Sequence, residues 1–487
     1  MKKTFLIIYL IISNFIISQE YSSVRKIIDE YKNTNLLKNA SWSVSARYLK
    51  SGKNIISLNS ELSLAPASNM KLLTSSAALD ILGEDHKFVT RIYTEGKIDN
   101  HGNLNGNIYI VGGGDPTLGY NRVEDSSKMN YLMNSWIKEI QSLGIKNIDG
   151  NIIADDLLYD RIPIPNNWDW IDLGNYYAAS TSALTINNNL YFLFFNPGKN
   201  VGDIAEVLRT EPVINGLTFT NKMRTGKKGS GDNGYIFNAP LQFNATLRGT
   251  IPKGKNEFSI KGSIPNPPLF ATQYLLNRLR EKGISVSGKA TVIDNKREYN
   301  KNDLVTETYS PPLKDIVFIV NKKSDNLYTE MLLRAIGLKA KGEGSTDSGV
   351  DAVEEFLSKN RIETNGLLMH DGCGLSRSDA ITTNLMLELL TLVSKKKYFN
   401  SFYNSLAVVG DRTDISAYSN YAIGTALEKN AHIKSGVIGG VRAYSGYLKD
   451  KSGKTIIFSM IANNFNGSGS RVSNIHKKIM IELAELK

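Results

Sequence analysis

Ala65-Pro66-Ala67-Ser68-Asn69-Met70-Lys71 runs straight into an apolar stretch, with Leu72, Leu73, Ala77, Ala78, Leu79, Ile81 and Leu82 before Gly83. That spacing predicts a buried helix over residues 72–82, stopped by the glycine. Pro66 suits a helix start. On a helix, positions i and i+3 share a face, so Ser68 and Lys71 should point the same way, one turn apart. A serine hydroxyl is a poor nucleophile near neutral pH and needs an adjacent base. Burial disfavours the charged form of lysine, which makes a desolvated lysine a candidate base. Ser-x-x-Lys alone is a weak signal, since a surface serine beside a surface lysine has the same pattern. Its weight comes from two short stretches far downstream.

The chain has 487 residues, room for more than one domain. Its apolar (41%) and charged (22%) fractions are ordinary for a globular protein. Met1-Lys2-Lys3 precedes an apolar run from Phe5 to Ile17, broken only by Ser13 and Asn14. This is the layout of a secretory signal peptide, read as residues 1–18. The run is short for a full membrane span, and no cysteine near the cleavage region suggests a lipid anchor. The expected location is therefore outside the cytoplasmic membrane, with no stable membrane span after cleavage. Removing Lys2 and Lys3 takes the formal charge from +11 to +9, a balance that suits an anionic polymer partner. Cys373 is the sole cysteine, so no internal disulfide can form, and the fold must rest on its packed core. No nucleic-acid partner, cofactor or metal is expected.

Residues 21–40 read as an amphipathic helix, with Val24, Ile27, Ile28 and Tyr31 at helical spacing. Alternation at Trp42, Val44, Ala46 and Tyr48, the turn Ser51-Gly52-Lys53-Asn54, and a returning run over Ile55 to Leu58 predict a β-hairpin. From about Phe88 short strand patterns alternate with turns. Gly112-Gly113-Gly114-Asp115-Pro116-Thr117 lacks the Gly-Lys-Ser/Thr and helix start of a phosphate-binding loop and reads as a structural turn. Helices are expected over Met129–Leu143 and Phe270–Lys282. From Pro311 the pattern is helical, through Leu313–Val320, Leu327–Ile336, Val350–Leu357 and Asn384–Val393. His432-Ile433-Lys434-Ser435, Ala443–Lys449 and Thr455–Ala462 then read as strands, and Arg471–Leu486 as a closing helix. An antiparallel sheet flanked by helices is an α+β layer.

Three elements occur in order: Ser68-x-x-Lys71, Ser324-Asp325-Asn326 and Lys434-Ser435-Gly436. The first opens a helix, the second sits between helices, and the third lies on a strand. Ser-x-x-Lys, Ser-Asp-Asn and Lys-Thr-Gly together mark penicillin-binding proteins and class A β-lactamases. Each is weak alone; in this order and context they are strong. A His/Asp dyad at His370-Asp371 is the alternative nucleophile system, but the chain has five histidines and no Gly-x-Ser-x-Gly elbow.

Over nearly all of the mature chain the sequence resembles the low-molecular-mass class C penicillin-binding proteins, the D-alanyl-D-alanine carboxypeptidase/endopeptidase family. The stretches that carry this are Pro66 to Lys71, Gly112 to Leu118, Tyr309-Ser310-Pro311-Pro312-Leu313 and Asn321 to Leu327. Asp371 to Arg377 and Lys434-Ser435-Gly436 with Gly446-Tyr447 complete them. The family usually has serine where Cys373 stands and threonine where Ser435 stands; both changes are conservative. The resemblance implies an α+β, β-lactamase/transpeptidase-like penicillin-binding domain. Ser68 and Ser324 lie much further apart than in relatives without inserts. The resemblance implies a discontinuous domain, residues 20–90 and 275–487, holding one or two inserted, mainly β domains over 91–274, divisible as 91–165 and 166–274.

The resemblance also implies the chemistry. Ser68 would attack the carbonyl of the penultimate D-Ala of a peptidoglycan stem peptide and form an acyl-enzyme, with Lys71 as favoured base. Ser324 would relay a proton to the departing amine, and Asn326 would hold Lys71 and the substrate amide. Lys434 would place positive charge near the terminal carboxylate, which Ser435 would bind, in the Lys434-Ser435-Gly436 strand. Backbone N–H groups of Ser68 and Val437 would form the oxyanion hole. Asp155 is a candidate substrate contact. β-Lactam antibiotics would acylate the same serine. Two other readings compete: a β-lactamase on the same scaffold, and a non-enzymatic peptidoglycan-binding protein. The long insert and the lack of a Glu-based deacylation motif weigh against the first; the intact set of five catalytic residues weighs against the second.

Overall fold

The computed structural model describes residues 21–120, 127–254 and 256–487; the expected signal segment, residues 1–18, lies outside them. The chain divides into two compact units. The first gathers the residues up to Asp80, Val317–Ser324 and Val353–Lys487; the second gathers Ile81–Ile316 and Asp325–Ala352.

The first unit is built on one six-stranded antiparallel sheet. Its strands lie in the order Ala407–Val408, His432–Ile438, Val441–Lys449, Thr455–Asn463, Ser41–Tyr48 and Asn54–Leu58. The hairpin expected from alternation is present at residues 41–58, and the strands expected near 443–449 and 455–462 pair as a second one, at 441–463. Thr455–Asn463 is buried along almost its whole length, as a central strand covered on both faces must be. One face packs Val44, Ala46, Phe458 and Met460 against Val24 and Ile28 of the helix Ser22–Lys32. Val472, Ile475 and Ile479 of the helix Gly469–Glu485 close the same layer. Each of these side chains larger than alanine contributes roughly 1.5–3 kcal/mol by leaving water. Among them, Phe458→Ala would leave a cavity costing about 3–5 kcal/mol.

The helix expected at residues 21–40 is shorter, Ser22–Lys32, and the backbone turns through Asn33 to Ala40. Leu36 and Leu37 still reach the core, but from turns. The helix after the first motif, Lys71–Ile81, has no polar face: residues 71–79 are all buried. Its hydroxyls are satisfied internally. Thr74 donates to the Gly372 carbonyl (2.8 Å), and Ser76 to the Leu72 carbonyl (2.6 Å). A helix that is buried all round belongs at the centre of a large unit.

The second unit is rich in strands. A five-stranded mixed sheet runs Ala290–Val292, Ile152–Asp155, Ile108–Val111, Val89–Thr94, Leu304–Tyr309. A three-stranded sheet places Leu190–Asn196 between Glu206–Glu211 and Phe258–Ser263. A four-stranded sheet groups Thr218–Asn221, Arg224–Gly226 and Asn233–Phe237 around Asn244–Pro252. These strands and the helices Ser127–Ser142 and Pro267–Glu281 share one apolar core, which includes Ile110, Trp136, Leu193, Phe195, Leu247 and Leu275. The second of these helices is started by Asn266, whose side chain accepts from the Leu269 amide, with Pro267 next. The Gly112–Thr117 stretch is a turn held from within: the buried Asp115 carboxylate accepts from the Thr117 amide (2.8 Å) and hydroxyl (2.7 Å). Burial raises that carboxyl to about 6.

Candidate active site

In the first unit, Ala67–Met70 forms a single 3-10 turn and the α-helix proper begins at Lys71. Ser68 is therefore on the turn that leads into the helix rather than inside it. Ala67 just before it takes φ +46°, a left-handed conformation that alanine rarely adopts. Such strain costs on the order of 1–3 kcal/mol and persists only where the surroundings impose it. Here they are named. Gly374 crosses behind the turn so closely that a Cβ on it would sit 1.9 Å from the Ala67 carbonyl oxygen. Gly436 approaches from the sheet, where a Cβ would lie 2.3 Å from the Pro66 carbonyl oxygen. Asn69, fully buried, donates to the Ser445 hydroxyl (2.7 Å) and ties the turn to the strand Val441–Lys449.

Lys71 is fully buried, and its Nζ donates to Ser68 Oγ at 2.9 Å and to the Cys373 carbonyl at 2.7 Å. The loop that offers this carbonyl is organised by Asp371. Its carboxylate accepts from the amides of Cys373 (3.0 Å), Gly374 (2.5 Å) and Ser376 (2.7 Å). Asp371 is thus occupied with backbone, as an orienter of the loop, and no His370–Asp371 dyad forms. What Cys373 offers Lys71 is its main-chain oxygen.

Lys434 lies on the strand His432–Ile438, 2% exposed, and donates to Ser324 Oγ (2.9 Å) and the Ser435 carbonyl (2.8 Å). Burial, and then the charge of Lys71, hold it well below the ordinary lysine range. Two lysine–serine pairs, Lys71–Ser68 and Lys434–Ser324, therefore stand in mutual electrostatic contact. Ser324 takes φ +57° in the two-residue joint between the helices Leu313–Lys323 and Asn326–Lys341. Asp325 caps the second helix by accepting from the Tyr328 amide (3.1 Å).

Beyond Lys434 the strand offers Ser435, buried Gly436 and half-exposed Val437. Its neighbour Ala407–Val408 pairs only with Ile433 and His432. Among the described residues no strand covers the outer edge from Lys434 onward, so backbone groups there can take up an extended peptide. A cleft of about 390 Å³ opens beside Ser324, Lys434 and Ser435, walled by Ile415, Ser416, Ala417 and Tyr418. That wall is fixed by a buried ion pair that sequence reasoning missed. Lys322 pairs with Asp414, the side chains being 4% and 3% exposed. Asp414 also accepts from the amides of Ser416 (2.7 Å) and Val408 (3.1 Å), and these bonds hold its carboxyl below the usual range although burial pushes the other way.

The second unit carries Asn326 and Asp155. Asn326 opens its helix and donates from Nδ2 to the Tyr177 carbonyl (2.7 Å). Asp155 ends the strand Ile152–Asp155; it accepts from the Leu157 amide (3.0 Å) and the Tyr299 hydroxyl (2.7 Å). Of the expected residues, the structure brings Ser68, Lys71, Ser324, Lys434, Ser435 and Gly436 into one compact unit. Asp371, the Cys373 carbonyl, Asn69 and Asp414 add to them. Asp371 and Cys373 lie in a stretch quoted for its resemblance, yet nothing in the letters showed that a carbonyl was the contribution.

Residues 24–486 match the model of the D-Ala-D-Ala carboxypeptidase 3 (S13) family. The chain belongs to that family. Its activity is that of a serine-type D-Ala-D-Ala carboxypeptidase, a penicillin-binding hydrolase. The sequence is 28% identical over 475 residues to a D-alanyl-D-alanine carboxypeptidase of Actinomadura sp. (strain R39), covering 95% of this chain and 85% of that one. It is 25% identical over 425 residues to the D-alanyl-D-alanine carboxypeptidase DacB of Haemophilus influenzae, covering 86% and 85%. The fold is similar to that of penicillin binding protein 4 (dacB) from H. influenzae, with a TM-score of 0.80 at 23% identity over 95% of this chain and 99% of the other. The α+β architecture expected from the strand and helix pattern, and the penicillin-binding-protein fold expected from the resemblance, stand. Among the described residues no helix is long and apolar enough to cross a membrane.

Proposed function

We propose that this S13 carboxypeptidase works through an acyl-enzyme on Ser68, with Lys71 as the base. The observation that carries the assignment is the 2.9 Å contact between the fully buried Lys71 Nζ and Ser68 Oγ, beside a second buried lysine. Lys71 in its neutral form takes the Ser68 proton as Oγ bonds to the carbonyl carbon of the penultimate D-Ala. The oxyanion so formed is met by the backbone N–H groups of Ser68 and Val437. As the C–N bond breaks, the proton reaches the leaving D-Ala nitrogen through Ser324, which Lys434 holds by the 2.9 Å bond. Lys434 and Ser435 receive the terminal carboxylate, and Asn326 receives the substrate amide. Water then attacks the ester, Lys71 again taking a proton, and Ser68 is regenerated. A β-lactam follows the first half of this path and stays as the acyl-enzyme.

The reading extends to three further points. The same chemistry cleaves the D-Ala cross-link of peptidoglycan as well as the terminal residue. Residues 20–90 and 275–487 form the discontinuous penicillin-binding domain around inserted residues 91–274, and Asp155 contributes to substrate contact. Met1–Ser18 directs export and is removed, which places the enzyme in the periplasm or cell envelope. The discriminating experiment is mass spectrometry of the protein after incubation with penicillin, with peptide mapping. A single adduct on the peptide carrying Ser68, absent in Ser68→Ala, supports the assignment; an adduct elsewhere overturns it.

A further inference from the structure

The second unit carries a row of aromatic side chains that no part of the mechanism uses. Trp170 is 53% exposed, Tyr176 40% and Tyr235 38%. Tyr235 and half-buried Phe237 are two residues apart on the strand Asn233–Phe237 and so share a face, their ring centroids 6.4 Å apart. Trp170 continues the row, 6.3 Å from Phe237. Tyr176 lies edge-on to Tyr177 at 5.6 Å. Two cations border the rings: Arg248 sits 5.2 Å from the Phe237 centroid and Lys261 5.8 Å from that of Tyr176. Exposed aromatics arranged together in this way mark an interaction surface.

The row is already ordered. The loop bearing Trp170 and Tyr176 is pinned to the strands beneath it. Asn175 Oδ1 accepts from the Ile236 amide (3.1 Å), the Ser263 amide donates to the Gly174 carbonyl (2.8 Å), and the Tyr177 hydroxyl donates to Asp172 (3.0 Å). A ligand therefore meets fixed rings, and little ordering entropy opposes binding. Within the same unit one end of the row meets the Ser-Asp-Asn motif, because the Tyr177 carbonyl accepts the bond from Asn326.

We infer that this aromatic row binds the sugar strand of peptidoglycan. The inference rests on the proposed assignment of Asn326 to the active site. A stem peptide in that site is covalently tied to a sugar, and an extended peptide advances only about 3.3 Å per residue. The polymer must then pass over the surface close to Asn326. Pyranose rings present flat C–H faces with hydroxyl, amide and carboxylate groups at the edge. Aromatic faces bordered by a guanidinium and an ammonium match that pattern. Tyr235 and Phe237 stand on one strand and Trp170 and Tyr176 on the loop pinned to it, and flat rings edged by cations favour a sugar polymer over a lipid surface.

The test uses the full mature chain with Ser68→Ala, so that binding is read without turnover. Three probes separate the sources: intact sacculi, glycan strands stripped of stem peptides by an amidase, and vesicles containing anionic phospholipid. The parent should bind both sacculi and stripped glycan. Adding Trp170→Ala and Tyr235→Ala should weaken both by about tenfold, the scale of losing one or two exposed aromatic anchors. Trp170→Tyr, which keeps a ring, should retain binding. With Ser68 restored, the double variant should keep its penicillin labelling and its kcat/KM on a small D-Ala-D-Ala peptide while KM on polymer rises. Failure of the parent to bind stripped glycan, or equal binding by the double variant, overturns the inference. So does a loss confined to vesicles, which would make the row a membrane contact. A protein that binds glycan but takes no penicillin at Ser68 would instead overturn the catalytic reading.

Discussion

Replacing Asp414 tests whether the wall of the cleft beside Ser324 and Lys434 is held by charge. Lys322 and Asp414 are both almost fully buried, and the carboxylate also accepts from the Ser416 and Val408 amides. Removing one member of a buried pair leaves an uncompensated charge and costs about 3–5 kcal/mol. Asp414→Ala should fall in that range, since it strands the Lys322 ammonium and two N–H groups together. Asp414→Asn keeps an acceptor for the amides and should cost less. Lys322→Met combined with Asp414→Asn should recover part of the loss, giving a coupling energy of about 0.5–3 kcal/mol. The loop carries Ile415, Ser416, Ala417 and Tyr418 into the cleft, so penicillin acylation should slow along with the loss of stability. Hydrogen exchange of the peptide containing Val408 and Ser416 and the second-order labelling rate are the assays. The pH dependence has a definite sign. The folded-state carboxyl lies below its ordinary 3.8, so the pair's contribution is present above about pH 4 and is lost as pH falls through the lower folded value. The gap between the native chain and Asp414→Asn should therefore close only in acid. Unchanged exchange and an unchanged labelling rate in Asp414→Ala would refute the reasoning.

Gly374→Ala should displace the turn that carries Ser68, because its Cβ would meet the Ala67 carbonyl at 1.9 Å where φ is already +78°; the penicillin labelling rate should drop at least tenfold while most of the fold remains by circular dichroism. Lys434→Met removes the partner of Ser324 and should lower kcat/KM most for substrates with a free terminal carboxylate, read against an amidated analogue; general acid–base contributions of this kind span about 10²–10⁴-fold. His476, fully buried and accepting from Trp42 Nε1 at 3.0 Å, is pushed down to about 3 by burial. The unfolded chain then binds the extra proton between about pH 6.5 and 3, so stability should decline as pH is lowered across that window and His476→Gln should flatten the decline; a slope unchanged in the variant would count against it.

The strands and helices of the first unit were legible because their periodicities are strong and their burial is one-sided or complete. Alternation at Trp42, Val44, Ala46 and Tyr48 and the run Thr455–Ala462 became adjacent strands in register. The helix before Asn33 was overestimated, since Leu36 and Leu37 keep the apolar rhythm while packing from turns. The start of the helix after Pro66 shifted to Lys71, because contacts from Gly374 and Gly436, far away in sequence, hold Ala67 in a conformation that no local propensity predicts. Motif letters identified the residue types at the site but not their partners. Asn69 with Ser445, Lys71 with the Cys373 carbonyl, and Lys322 with Asp414 are pairs made by tertiary folding between ordinary residues. Backbone acceptors in particular leave no signature in a sequence.

The central claim is that Ser68, deprotonated by Lys71, is the group that becomes acylated. Its most direct measurement is labelling of the full mature chain by a fluorescent penicillin, followed over time for the native protein, Ser68→Ala and Lys71→Ala. The account predicts stoichiometric label on the Ser68 peptide of the native chain, none in Ser68→Ala, and at most a slow trace in Lys71→Ala with the fold intact. Labelling of Ser68→Ala at the native rate would contradict it.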